Sequence, residues 1–281
     1  MKFADYRVEI VSDAEFRLDG GAMFGVVPRV LWERVCPPDE FNRIRLDMNC
    51  LFVETATEKI LIETGIGEKW TEKQTQMFGI FRTQTFAEIL FQKTGYSPSD
   101  VSIVVNTHLH FDHAGGNTIL DTSGEIVPQF PNARYFVSES EFAHAENPNE
   151  RDRASYLPEN WRALQTSGQL ELKPDEYEVV EGLQMKQIRG HNETMQVFQL
   201  RRGDQTLFGF ADLIPTRAHL PLAWIMGYDL FPTETLTAKR NLLPIAAQEN
   251  CLCLFYHDFE TPLCRITEKE GKFLAKETSL F

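Results

Sequence analysis

From His108 to His113 the chain sets three imidazoles and one carboxylate in six consecutive positions, within Thr107-His108-Leu109-His110-Phe111-Asp112-His113-Ala114-Gly115-Gly116. The preceding run Val101-Ser102-Ile103-Val104-Val105 is β-branched and reads as a buried strand. The cluster therefore falls where a strand gives way to a loop. While the backbone stays extended, His108 and His110 share a side, so both rings can reach one ion. Asp112 and His113 lie past the strand end and can turn toward a second. Gly115 and Gly116 let the backbone fold tightly just beyond them. A solvated loop has no need of such a density of ligands, and metal binding is the reading this spacing favours.

The rest of the chain alternates strand and helix patterns. Residues 48 to 63 hold two apolar runs, Cys50–Val53 and Ile60–Ile62, around a polar stretch, which is a hairpin signal. Phe86, Ile89 and Leu90 recur at helical spacing and the pattern stops at Gly95. Arg134–Val137 reads as a strand, with Ser138 as N-cap of a helix holding Glu141, Phe142 and His144. The polar stretch Asn149–Gly168, with Trp161, reads as an inserted helix bounded by Pro158 and Gly168. Segments 183–188, 196–200, 205–211 and 251–256 alternate like strands of a second sheet, and Thr233–Ala247 is helical with Pro244 near its end. With no repeat or low-complexity linker, the expectation is one domain over residues 1–281, two packed sheets with helices outside.

Composition narrows the partners. The formal charge is 28 − 41 = −13, which disfavours nucleic-acid backbones and anionic lipid and leaves a small neutral, apolar substrate as the easier partner. No apolar run is long enough to span a bilayer and no signal-like segment opens the chain, so the expectation is a cytoplasmic protein without membrane attachment. Cys36, Cys50, Cys251, Cys253 and Cys264 fall at no zinc-finger spacing, and core packing is expected for the Cys251-Leu252-Cys253 pair.

The HxHxDH wording at His108–His113 resembles the metallo-β-lactamase superfamily, and the likeness extends along nearly the whole chain through His191 in Gly190-His191-Asn192, Asp212 in Phe210-Ala211-Asp212-Leu213 and His257 in Tyr256-His257-Asp258. It implies an α/β fold, the four-layer αββα sandwich of that family. It further implies that His108, His110 and His191 hold one metal, that Asp112, His113 and His257 hold another, and that Asp212 bridges the two. Imidazole and carboxylate ligands suit two divalent ions, zinc first, with iron, manganese or cobalt as alternatives. Two cations sharing a water bring its pKa toward neutrality, and the implied reaction is attack by the bridging hydroxide on an ester-like carbonyl, with Asp112 moving the proton. Two wordings depart from the family pattern: Glu63-Thr64-Gly65 replaces Asp-Thr-Gly, and Gly190-His191-Asn192-Glu193-Thr194 replaces Gly-His-Thr-Pro-Gly. Glu63 is expected to orient a ligand without being one.

Within the superfamily, Thr107–Asn117 and the long early segment Gly20–Asp47 look most like the N-acyl homoserine lactonases and the methyl parathion hydrolase-like enzymes. The implied activity is lactone opening or ester cleavage of the quorum-quenching kind. Organophosphate (phosphotriester or phosphodiester) hydrolysis is the alternative, and a ligand-binding sensor that keeps the fold is the reading from another class. Met23, Phe24, Met77, Phe78 and Trp224 are candidate walls of an apolar pocket, with core or subunit packing as the competing role. The resemblance also implies a homodimer joined partly through the early segment. His144 lies among Glu139, Glu141 and Glu146 and is expected to be solvated. His219, seven residues after Asp212, is a candidate catalytic group or a structural loop residue.

Overall fold

The computed structural model describes residues 1–276; residues 277–281, the end of the expected single domain 1–281, lie outside the described residues. Contacts divide the chain into two compact units, one of residues 1–14 and 48–177, the other of residues 15–47 and 178 onward.

The first unit is built on a sheet of β1 (Lys2–Phe3), β2 (Tyr6–Asp19), β3 (Arg43–Glu54), β4 (Lys59–Ile62), β5 (Ile103–Val105), β8 (Arg134–Ser138) and β9 (Leu170–Lys173), in that spatial order. The short strands β6 (Thr118–Leu120) and β7 (Ile126–Pro128) form a separate hairpin. β3 and β4 make the expected hairpin, with Leu51 opposite Ile62 and Val53 opposite Ile60. From β4 onward the pairing is parallel, β4 to β5, β5 to β8 and β8 to β9. A parallel strand is covered on both faces, which is why Ile103–Val105 has no polar alternation and all three residues are buried. The C-terminal ends of β4, β5 and β8 consequently lie side by side, and each leads into a loop or helix that carries polar residues.

Helices follow from their caps. Over α3 (Glu72–Phe78) and α4 (Phe86–Thr94), Thr71 with Gln74 and Thr85 with Glu88 close reciprocal capping boxes, and both helices end on a left-handed glycine, Gly79 and Gly95. Met77 and Phe78 are thus the last residues of α3. α5 (Phe111–Ala114) is one turn inside the ligand motif, and α6 (Glu139–Glu146) starts at Ser138 as expected. The expected inserted helix between Pro158 and Gly168 is α7 (Arg162–Ser167), which ends on a left-handed Gly168; the polar residues before it form two 3-10 turns, Arg153–Ser155 and Pro158–Asn160.

The second unit carries β10 (Glu176–Val180), β11 (Leu183–Gln187), β12 (Gln196–Arg202), β13 (Gln205–Gly209), β14 (Leu252–Leu254), β15 (Leu263–Lys269) and β16 (Lys272–Lys276) in sequential order. β11 pairs antiparallel with β12, β12 with β13, β14 with β15 and β15 with β16, while β13 and β14 are parallel. The crossover joining those two parallel strands contains α8 (Pro232–Gln248), which continues past Pro244. Leu243 and Ala246 of α8 pack into a core with Val197, Phe210, Cys253, Cys264 and Ile266. Cys251 and Cys253 are buried and free, so their pairing is packing, as expected. The early segment supplies two short helices, α1 (Gly20–Phe24) and α2 (Arg29–Trp32). No helix among the described residues is long and apolar enough to cross a membrane.

Candidate metal centre

In the first unit three neighbouring strand ends converge. The residue after β4 is Glu63, the residues after β5 run Asn106–His113, and the residues after β8 start α6. Glu63 takes a left-handed φ of 65°, unusual for a residue with a side chain. Its carboxylate accepts from the Thr107 amide at 3.2 Å and from the Thr107 hydroxyl, lies 3.3 Å from His113 Nδ1, and accepts from Asn106 Nδ2 at 3.4 Å. Since the Thr107 proton goes to Glu63, its oxygen receives the Nδ1 proton of His108, 3.0 Å away. Glu63, His108 and His113 each offer a ligand atom within 4.8 Å of the other two. Ring centroids of His108 lie 4.5 Å from His110 and 4.0 Å from His113. Asp112 is buried in the first turn of α5. The expected orienting role of Glu63 thus agrees with its bonds.

The two glycines after the motif serve a different need from the one expected. Gly115 has an ordinary helical φ of −59°. A Cβ there would collide with the Ile66 carbonyl, and one at Gly116 would collide with the Thr64 carbonyl. What glycine supplies is room for residues 64–67 to lie on 113–117, where Thr64 donates its amide to His113 O at 2.9 Å and its hydroxyl at 3.1 Å. Asp13 holds the other side of that segment, accepting the Ile66 and Gly67 amides and pairing with Arg82 at 3.2 Å. Burial raises the Asp13 pKa, opposed by Arg82.

In the second unit the parallel pair β13 and β14 is followed by Asp212 and His257, and the β11–β12 connection carries His191. Asn192 accepts the amides of Thr194 at 3.0 Å and Met195 at 2.6 Å, an Asx turn that replaces the more usual proline-glycine wording of this loop. The Asp212 carboxylate stands between the two rings, 3.4 Å from His191 Nε2 and 3.2 Å from His257 Nε2. Asp229 accepts at 3.1 Å from His191 Nδ1, and the Asp47 carbonyl accepts at 3.0 Å from His257 Nδ1. A carbonyl can only accept, so the His257 proton resides on Nδ1, and the carboxylate of Asp229 imposes the same on His191. Both Nε2 lone pairs then face a carboxylate oxygen, an arrangement of acceptors that calls for a cation between them. The donor chemistry of both units therefore fits divalent metal ions.

Other site expectations are corrected. His219 is buried and both its nitrogens are used: Nε2 lies 2.9 Å from the Met23 carbonyl and Nδ1 2.8 Å from the Thr216 hydroxyl. Its ring clamps the Met23 carbonyl to the Thr216 hydroxyl. Its ring stacks on Phe24 at 4.6 Å, and Phe24 stacks on Trp32 at 5.3 Å and meets Trp224 edge-on at 5.6 Å. Met23 and Phe24 are buried core residues, not walls of an open pocket; Trp224 is half-buried against Phe24. Met77 is exposed, while Phe78 packs with Phe111 at 5.2 Å and with Trp70 at 5.4 Å. His144 is not solvated either: Nε2 lies 2.7 Å from Asp152 Oδ2. Sequence patterns did not single out Asp229, 38 residues from His191, because its register to the ring arises only on folding.

Burial pushes the His219 imidazole down to about 3 from 6.5. The unfolded chain therefore takes up this proton first, so the stability His219 contributes is complete above about pH 6.5 and is lost as the pH falls toward 3. Urea unfolding at pH 7 and pH 5 is expected to show a drop larger by about 2 kcal/mol in the wild type than in His219→Asn.

The metallo-beta-lactamase superfamily model matches residues 44–250. The chain belongs to that superfamily and has its fold, and it is a metal-dependent hydrolase by class. An N-acyl homoserine lactonase of Bacillus thuringiensis is 26% identical over 245 residues, covering 79% of this chain and 86% of the relative. A Staphylococcus aureus protein described as a probable metal-dependent hydrolase superposes with a TM-score of 0.89 at 30% identity, over 99% of both chains. AidC, a dizinc quorum-quenching lactonase solved with an N-hexanoyl-L-homoserine product, superposes with a TM-score of 0.81 at 21% identity, over 100% of this chain and 97% of that one, a likeness of fold.

Proposed function

We propose that the chain opens the ring of small neutral acyl-lactones, cleaving their ester bond, as a single-domain enzyme that takes two divalent ions, zinc first. The observation that carries this is the Asp212 carboxylate set between two imidazoles whose Nδ1 protons are committed elsewhere. His108, His110 and His191 would hold one ion, Asp112, His113 and His257 the other, with Asp212 shared. Ions bound there would supply Lewis acidity toward the carbonyl and make water nucleophilic at neutral pH.

The side chains do the rest. Thr107, Asp229 and the Asp47 carbonyl engage Nδ1 of His108, His191 and His257, so Nε2 is the atom each of these three presents, and the Glu63 carboxylate lies 3.3 Å from His113 Nδ1. Asp112 accepts the proton that attacking water loses and returns it to the alkoxide leaving the carbonyl carbon, so one water is added across the ester bond. Phe111, between His110 and Asp112, with Phe78 and Trp70 against it, supports an apolar chain beside the reacting group. Val26, Val30, Leu31, Val35 and Phe41 are exposed along one short segment and support a homodimer through it; sedimentation at the monomer mass would reject that part.

Turnover of a panel tests the function: a long-chain acyl homoserine lactone, an aryl ester, an aryl phosphotriester and a thioester. The expected result is lactone preferred over the others by at least about tenfold in kcat/KM. Preference for the phosphotriester replaces the proposal with organophosphate hydrolysis, and binding without turnover of any member replaces it with a ligand sensor.

A further inference from the structure

Three helices of the first unit start with a hydroxyl residue followed three positions later by Gln or Glu: Thr71 with Gln74, Thr85 with Glu88 and Ser138 with Glu141. In the first two the acidic or amide side chain turns back to the cap amide, at 3.1 Å for Gln74 and 2.8 Å for Glu88. In α6 the Ser138 hydroxyl accepts the Glu141 amide at 3.2 Å, but the Glu141 carboxylate reaches away from its own helix to the Leu109 amide, at 2.7 Å. Glu141 is fully buried. A carboxylate taken wholly out of water and turned from its local cap is costly unless its distant bond is worth more.

The Leu109 amide lies between His108 and His110. Its peptide plane sets ψ of His108 and φ of Leu109, and hence the direction in which both imidazoles leave the chain. The loop is already pinned on one side by Glu63 at the Thr107 amide, and on the other by the His110 carbonyl, which accepts the His113 and Ala114 amides at 3.0 and 2.9 Å. The bond from Leu109 fixes the one stretch between these pins. We infer that Glu141 is a positioning residue for the metal centre, holding the Leu109 peptide so that His108 and His110 diverge at the angle an ion requires. This inference rests on the two-ion reading given above.

The test is zinc affinity of the full chain, measured by competition with a chromogenic chelator, for wild type and for Glu141→Gln, Glu141→Asp and Glu141→Ala, with the absorption spectrum of the cobalt-loaded proteins as a second readout. Gln keeps an acceptor oxygen at the same reach and is expected to stay within about threefold of wild type. Asp keeps the charge but is one methylene short, and with Ala it is expected to bind about 10–100-fold more weakly with altered cobalt bands. Wild-type affinity and bands in Asp, or a loss in Gln as large as in Ala, would overturn the inference while leaving the two-ion reading intact. A wild-type chain that takes up no metal would overturn both.

Discussion

Asp112→Asn is expected to lower kcat/KM on the best substrate of the panel by about 10²- to 10⁴-fold, the range lost when a positioned proton carrier is removed. Asn preserves the shape of the side chain in the first turn of α5, where Asp112 is buried between His110 and His113. It cannot accept a proton at neutral pH, and it offers one oxygen acceptor in place of two. The fold is expected to survive, because the glycine contacts, the Glu63 bonds and the Thr64 bonds that hold the loop do not involve this side chain. Metal content measured on the same preparation separates a lost ligand from a lost proton carrier. A variant that turns over within a few-fold of wild type removes Asp112 from the mechanism.

Phe24→Ala is expected to cost about 3–5 kcal/mol of unfolding free energy, read from urea denaturation. Phe24 is fully buried, with the His219 ring on one contact, Trp32 on another and the edge of Trp224 on a third. These partners are themselves tied: His219 to the Met23 carbonyl, and the His219, Pro221 and Trp224 carbonyls to Lys239 Nζ at 2.6–2.8 Å. The cavity left by the ring cannot collapse easily against a frame held in this way, which places the cost toward the upper end of the range. A loss below about 1 kcal/mol would mean that the frame relaxes and that His219 is not the clamp described.

What was legible in the sequence depended on how local its cause is. The β5 strand, the α4 and α6 caps and the β3–β4 hairpin follow from runs of a few residues, and they form where the patterns place them. The ligand cluster was legible because four chemically unusual residues fall together. Roles set by distant partners were not. His144 looked solvated among glutamates until Asp152 came within 2.7 Å, and Met23 and Phe24 looked like candidate pocket walls until His219 closed on them from nearly two hundred residues away. Glu141 matched a capping pattern and spends its carboxylate elsewhere. Gly115 and Gly116 were rightly placed but for the wrong need, since the crowding comes from residues 64–66, which no local pattern connects to them.

The central claim is the proposal that the chain binds two divalent ions. Elemental mass analysis of the purified chain tests it most directly, on wild type beside Asp212→Ala. The expected result is about two divalent metal ions per wild-type chain, zinc predominant, and at most one in the variant. Fewer than one ion per wild-type chain after incubation with excess metal, or an unchanged content in Asp212→Ala, would contradict the account.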